Sequence, residues 1–566
     1  MVVSNMDAHR STYAETHLRK PEIVMAPERL GAMHQNRISF VRSLIRKMAQ
    51  QEWQVTKYEW QLSPQGFGHV IYKLVTPNDT YHLVVFCDEI ADEERNDRVI
   101  AEKWDVTFAL VLGEVNVDLL SQLRANVPLQ EAGRNSNNVL VLARANKSVR
   151  VFDHLVSHLS RGEQPNQKEL AEVGYILRTT AVYGNGKFGI ADFKLLENNA
   201  DFNQSFSAQM CAVYLLRQFS LDWVHYLATE QGGVNAVTLD RELQRYLGVG
   251  NATGLGMAPY LINHPCIVDQ WMFAREMALS AVLNAPVIRE RKEPLQTLLR
   301  KGVRHLQQVI TINEHQDALN HRAVSELNEL IASLDNIVAK SSTWEDVVTH
   351  SNGMSLEAQE MLLSCLMEIY PELVDRFEEQ MNGNENLSLP SGKKIQDLIT
   401  TLEACYQWAI KTDFTKPENN YWFWYRSQDK EEPRLGVRGE EKGEDRELPL
   451  DIGRQVYRLY HALLKCEASM SLAEFLVEHP QYRAISRRVW TLGHKALGDI
   501  QMNVLHKSSL PMHLLRCKLA VFGATKFDPR SDRWVRVTFF QGAPLLDEVH
   551  DGEWLFPLLP NAGEGQ

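Results

Sequence analysis

The chain has 566 residues, 60 Lys and Arg against 72 Asp and Glu, a formal charge of −12, and hydrophobic and charged fractions of 44% and 23%. This ordinary globular composition excludes a collagenous, mucin-like or wholly disordered polymer, and at roughly 150 residues per domain the length suggests about three or four domains. The acidic balance argues against a protein devoted to coating nucleic acid, because affinity for phosphate backbones comes from dense Lys and Arg.

Residues 1–35 are polar and charged without sustained periodicity, so they read as a disordered tail, and they lack the apolar core of a signal peptide. Ile38, Val41, Ile45 and Met48 then recur at helical spacing, which starts a first helix near Asn36, followed by the aromatic run of Trp53, Tyr58 and Trp60. Residues 69–75 and 81–87 are β-branched and aromatic, and Pro77-Asn78-Asp79 between them predicts a hairpin. Short apolar runs at 107–113 and 138–143, with helical stretches at 119–123 and 151–159, complete a small α+β domain over residues 36–150.

Beyond it the pattern is helical. Leu299, Val303, Leu306 and Ile310 step by four, three and four, and Leu327, Leu330, Leu334 and Ile337 by three, four and three, which predicts two long helices packed as a hairpin inside a helical domain over 151–381. Residues 382–392 and 427–449 read as linkers. The second holds five Lys and Arg and eight Asp and Glu between Asp429 and Glu447, a mixed, solvated and mobile loop. A second helical domain over 393–566 has helices near 451–464 and 482–505, and strand-like runs at 519–523 and 534–540 around Asp528-Pro529-Arg530-Ser531-Asp532 form a terminal hairpin. The expected fold class is therefore α+β, a small α+β N-terminal domain followed by a large, mainly α-helical body with a C-terminal β-hairpin.

Seven cysteines, with no Cys-x-x-Cys pair, fit a reducing compartment, and no window holds about 18 uncharged apolar residues. The expectation is a soluble, non-secreted, cytoplasmic protein with no membrane contact.

Three segments could carry chemistry. Gly184, Asn185, Gly186, Lys187 and Gly189, with Asp192 just beyond, form a glycine loop whose backbone N–H groups and lysine could cradle a phosphate or carboxylate. No Ser or Thr follows Lys187, so it is no Walker loop, and the same residues also read as a tight turn with a solvated lysine. Asn263, His264, Cys266 and Asp269 stand before a helix containing Arg275 and Glu276; a Cys–His pair can generate a thiolate, and the segment also reads as a structural loop in which Asn263 and Pro265 set the helix entry and Cys266 is buried. Trp422 and Arg426 lie in the aromatic run 421–426, and Arg434 and Arg438 follow it. Stacked rings with arginine can bind a flat or anionic ligand beneath a lid, and alternation also suits an ordinary strand buried on both faces.

His154 and His158, four residues apart, could present two imidazoles to one metal, although no H-E-x-x-H glutamate lies between them and a solvated position explains them as well. Protein-kinase chemistry lacks its residues, since no lysine stands in 81–87 and Lys194 follows Asp192-Phe193 where a glycine is required. No family is assigned. Two functions follow: an enzyme binding an anionic small molecule or phosphate at the junction of the α+β domain and the helical body, or a non-catalytic scaffold binding a protein partner through helices 299–337. Nucleic-acid binding is the weaker third reading, and no cofactor is identified.

Overall fold

The computed structural model describes residues 18–90, 104–126, 138–182, 196, 198–254, 264–382, 386–416, 422–426, 433–436, 447–450, 452–493, 495–498, 516–529, 534–550 and 552–560. Helix α1 (Phe40–Gln50) leads into strands β1 (Gln54–Leu62), β2 (Gly68–Val75), β3 (Thr80–Cys87) and β4 (Val106–Leu112), each antiparallel to the one before. Helix α2 (Val117–Asn126) precedes β5 (Val139–Lys147), which pairs with β4. The two-residue period then sorts side chains by face. Val70, Tyr72 and Leu74 enter the main core, whereas Ile71 joins Val84, Phe86, Ala109 and Val111 in a smaller cluster capped by Leu123 of α2.

Helices α3 (Phe152–Ser160) and α4 (Gln167–Val173) lead to β6 (Tyr175–Thr179), antiparallel to β5. Helix α5 (Ser207–Gly232) is buried around most of its circumference, as a helix without a one-sided apolar stripe must be. It carries the chain to β7 (Gly248–Gly254), which runs parallel to β6. Strand β7 is poor in side chains because its neighbours press on it: a Cβ at Gly250 would lie 2.7 Å from the Tyr175 ring, and one at Gly248 would lie 2.2 Å from the Phe539 carbonyl oxygen.

Helix α6 (Pro265–Leu283) is followed by α7 (Lys292–Gln308), α8 (Glu314–Lys340) and α9 (Leu356–Glu368). Helices α10 (Ile395–Cys405), α11 (Ile452–Leu463), α12 (Leu472–Glu478) and α13 (Arg483–Leu492) build a separate apolar core around Leu398, Leu402, Leu459, Phe475 and Val489. Strands β8 (Trp422–Arg426), β9 (Pro433–Gly436) and β10 (Glu447–Leu450) form a three-stranded antiparallel sheet in the order β10-β8-β9. Strands β11 (Lys526–Pro529) and β12 (Trp534–Phe539) then return to the first sheet, where β12 pairs with β7 to give nine strands ordered β1-β2-β3-β4-β5-β6-β7-β12-β11.

This closure is pinned by Arg217 of α5, which donates to the carbonyl oxygens of Gln244, Arg245 and Leu247 before β7 and of Ala543 and Pro544 after β12, at 2.8–3.2 Å.

The mixed α+β class holds, with differences in detail. Residues 18–35 are no tail: Pro21–Val24 and Pro27–Ala32 are short helices, each opened by a proline whose missing N–H costs nothing there, and Val24, Met25, Leu30 and Met33 are buried. Residue 150 bounds no sheet, since β6, β7, β12 and β11 extend it, and the terminal hairpin belongs with that sheet and not with α10–α13. Residues 517–522 are helical, not a strand, and Gly523 ends them at φ 78° in the left-handed conformation that glycine favours. The α7–α8 seam is formed, and Leu299, Val303, Leu306, Leu327, Leu330, Leu334 and Ile337 are all buried in the chain's own core, whereas Ile310 lies beyond the end of α7 and is exposed.

Candidate functional site: a buried charged junction

Helix α1 buries both of its faces. Phe40, Val41, Leu44, Ile45 and Met48 supply the apolar contacts that their spacing demands, and the polar side chains of Arg42, Ser43 and Arg46 are buried as well. Buried guanidinium groups require acceptors for their N–H donors, and here carboxylates supply them. Arg42 Nη2 lies 2.7 Å from Glu368 Oε1, and Arg46 Nε donates to Glu378 Oε2 at 2.9 Å. Arg37, in the segment before the helix, grips Asp375 with two parallel bonds of 2.5 and 2.7 Å.

A second group joins the N-terminal segment to α6 and α9. Arg19 makes bonds of 2.8 and 2.6 Å to Glu276, Arg29 reaches Glu360 at 2.6 Å, and Arg275 contacts both carboxylates. Burial alone would raise the Glu360 carboxyl, but the guanidiniums of Arg275, Arg19 and Arg29 outweigh it and hold the group at about 2.

His264 occupies the N-cap of α6 and Pro265 its first position. Cys266 and Asp269 lie in the first turns of the helix and are buried, 1% and 0% exposed, so Cys266 is placed as a small interior side chain, as its bland reading has it. Trp271 Nε1 donates to the Ile38 carbonyl at 2.9 Å and fastens this helix to the segment 34–39. Sequence reasoning therefore found the helix entry and missed the N-terminal strand of chain that packs beside it. The available signal is the series Arg29, Arg37, Arg42 and Arg46 around an apolar stripe.

Gly184, Asn185, Gly186, Lys187, Gly189, Asp192, Asn263 and Arg438 lie outside the described residues. Trp422 and Arg426 fall in β8 and Arg434 in β9, where Arg434 stands opposite Trp424 in the register of the small sheet. That sheet is separate from the nine-stranded one. An open groove of 440 Å³ lies on the α10–α13 unit, lined by Leu389, Lys393, Leu472, Leu476, Arg483 and Arg487, and includes none of the expected site residues.

Around the junction, several buried polar atoms lack a hydrogen-bond partner among the described residues: His34 Nε2, Gln35 Nε2, Ser39 Oγ, Gln270 Oε1, Arg275 Nε and Arg516 Nη1. Native interiors rarely leave such atoms unsatisfied unless water, an ion or a ligand completes them. Arg516 is 4% exposed, lies over the Phe527 ring at 5.5 Å and has its nearest carboxylate oxygen, Glu357 Oε1, at 3.8 Å. Burial pulls its pKa down, with Glu357 opposing. Burial also drives His34 down to about 3, assisted by the Arg516 and His305 charges, and drives His305 to about 4, so both imidazoles are neutral at pH 7. Together these groups can bind an anion by charge through Arg516 and accept or donate one further hydrogen bond through His34.

No helix among the described residues is long and apolar enough to cross a membrane, and the seven cysteines form no disulfide with one another. No protein-family model, curated protein or solved structure matches this chain.

Proposed function

We propose that this chain is a cytoplasmic protein that binds an anionic small molecule, a phosphate or carboxylate, at the junction of the nine-stranded sheet and the helical body. The observation that carries the reading is two buried nitrogens without a hydrogen-bond partner among the described residues, Arg516 Nη1 and His34 Nε2, with the Arg516 charge helping to keep His34 neutral. A guanidinium with its carboxylate 3.8 Å away retains hydrogen-bonding capacity for a carboxylate or phosphate oxygen. The parallel pair β6–β7 supports the placement, because ligands of open sheets collect beyond the carboxyl ends of parallel strands. In the sequence, β6 is followed by the glycine-rich segment with Lys187, and β7 by the segment with Asn263.

The test is a thermal-shift panel of phosphorylated and carboxylated metabolites on wild type, Arg516→Gln and Lys187→Ala. Binding predicts that some anions raise the melting temperature of wild type and that Arg516→Gln, still folded by circular dichroism, loses the shift. If no anion moves wild type, or if both variants keep every shift, the reading fails.

A further inference from the structure

Helix α3 carries His154 and His158 one turn apart, with ring centroids separated by 4.1 Å. Their Nδ1 atoms are both engaged. His158 Nδ1 donates to the His154 carbonyl oxygen at 2.9 Å, and His154 Nδ1 lies 3.1 Å from Oε2 of Glu169 in α4. A neutral imidazole that holds its proton on Nδ1 offers Nε2 as a bare acceptor. His154 Nε2 is buried with no hydrogen-bond partner among the described residues. The two rings thus lie against each other on one helix face, each with its Nδ1 engaged, and the buried Nε2 of His154 has no protein donor among the described residues.

We propose that His154 and His158 form, through their Nε2 atoms, a two-histidine site for a divalent transition-metal ion of the zinc, nickel or copper class, its other positions filled by water. Imidazole nitrogen suits these ions, and helical i, i+4 spacing is one that places two such ligands on one metal. A carboxylate beside the remote nitrogen is the arrangement that orients a ligating imidazole and strengthens it as a donor, which gives Glu169 a positioning role. Among the described residues no third histidine, cysteine or carboxylate completes a closed cage, so the site is an open one with water ligands. A bound ion would brace α3 and, through Glu169, the start of α4, the piece of chain that delivers β6 to the sheet.

The experiment is isothermal titration of the metal-free, full-length chain with ZnCl₂ and with NiCl₂, alongside His158→Gln, His154→Gln and Glu169→Gln. Wild type should bind one more equivalent of metal than either histidine variant, and Glu169→Gln should weaken that equivalent by about tenfold or more. Melting curves give an independent reading: Zn²⁺ should raise the melting temperature of wild type and leave that of His158→Gln unchanged. Equal stoichiometry and affinity in wild type and His158→Gln would overturn the proposal. Both histidines are half-buried, and His158→Gln leaves the His154–Glu169 contact in place, so that variant serves even if His154→Gln lowers the yield of folded protein.

Discussion

Two buried arginine arrangements in this molecule solve the same problem in opposite ways. Arg217 is surrounded by five backbone carbonyl oxygens and no carboxylate, and burial lowers its pKa only to about 10, so it remains charged at pH 7. The junction arginines instead meet carboxylates, and Arg516 and Arg275 each keep one nitrogen without a hydrogen bond. A guanidinium whose donors all end on backbone is a fastener: it ties chain segments and has nothing left for a visitor. One paired at longer range, beside other unsatisfied groups, has capacity to spare.

The sharpest way to break this contrast is Arg217→Met. It should cost roughly 3–5 kcal/mol, because the carbonyls lose charge-assisted partners and stay buried. Chemical denaturation measures it, and a loss below about 1 kcal/mol would mean that water replaces the clasp. Glu360→Gln ranks next, at about 3 kcal/mol at pH 7, since Arg19, Arg29 and Arg275 would lose their shared anion in a dry site. In wild type the folded Glu360 pKa of about 2 lies below the ordinary 4.5, so its contribution is present above pH 4.5 and is lost as the pH falls toward 2.

The histidines act at higher pH. His34 and His305, held near 3 and 4 in the folded chain against 6.5, leave the unfolded chain binding more protons below pH 6.5, so stability falls from there toward pH 4. Unfolding free energy measured between pH 7 and pH 4 should therefore show a flatter slope in the double variant His34→Gln, His305→Gln than in wild type. Equal slopes would remove the claim that these rings are buried and neutral. The smallest effect belongs to the surface: Arg245, 44% exposed, pairs with Glu548, and Arg245→Ala should cost less than about 1 kcal/mol because solvent screens the pair.

How much of this was legible in the residues follows from what each signal encodes. Strands β2, β3, β4 and β5 and helices α7 and α8 were readable because their apolar periods are local. Strand β7, Gly-Val-Gly-Asn-Ala-Thr-Gly, has no such period, since its composition answers to the Tyr175 ring and the Phe539 carbonyl, residues far from it in sequence. The junction was hidden for a related reason. A polar helix face normally means solvent, and only the distant Glu368, Asp375 and Glu378 reveal that Arg42 and Arg46 point inward. The segment from His264 to Asp269 reads as preceding a helix, whereas Cys266 and Asp269 already lie in the first turns of α6, and spacing alone could not tell that the thiol is interior.

The joining of β12 to β7 has a consequence for synthesis. Some 280 residues separate the two partners, Gly254 and Trp534, in the chain. While the ribosome is still making the helices between them, β7 offers an open row of backbone N–H and C=O groups on the side that β12 will later occupy, the kind of edge on which chains aggregate. A strand of three glycines, alanine, asparagine and threonine with a single valine is a poor template for such pairing, because it carries few large apolar side chains to hold a stranger in register. The small residues that let the neighbouring strands approach thus also protect the nascent chain during its wait for its own C-terminus.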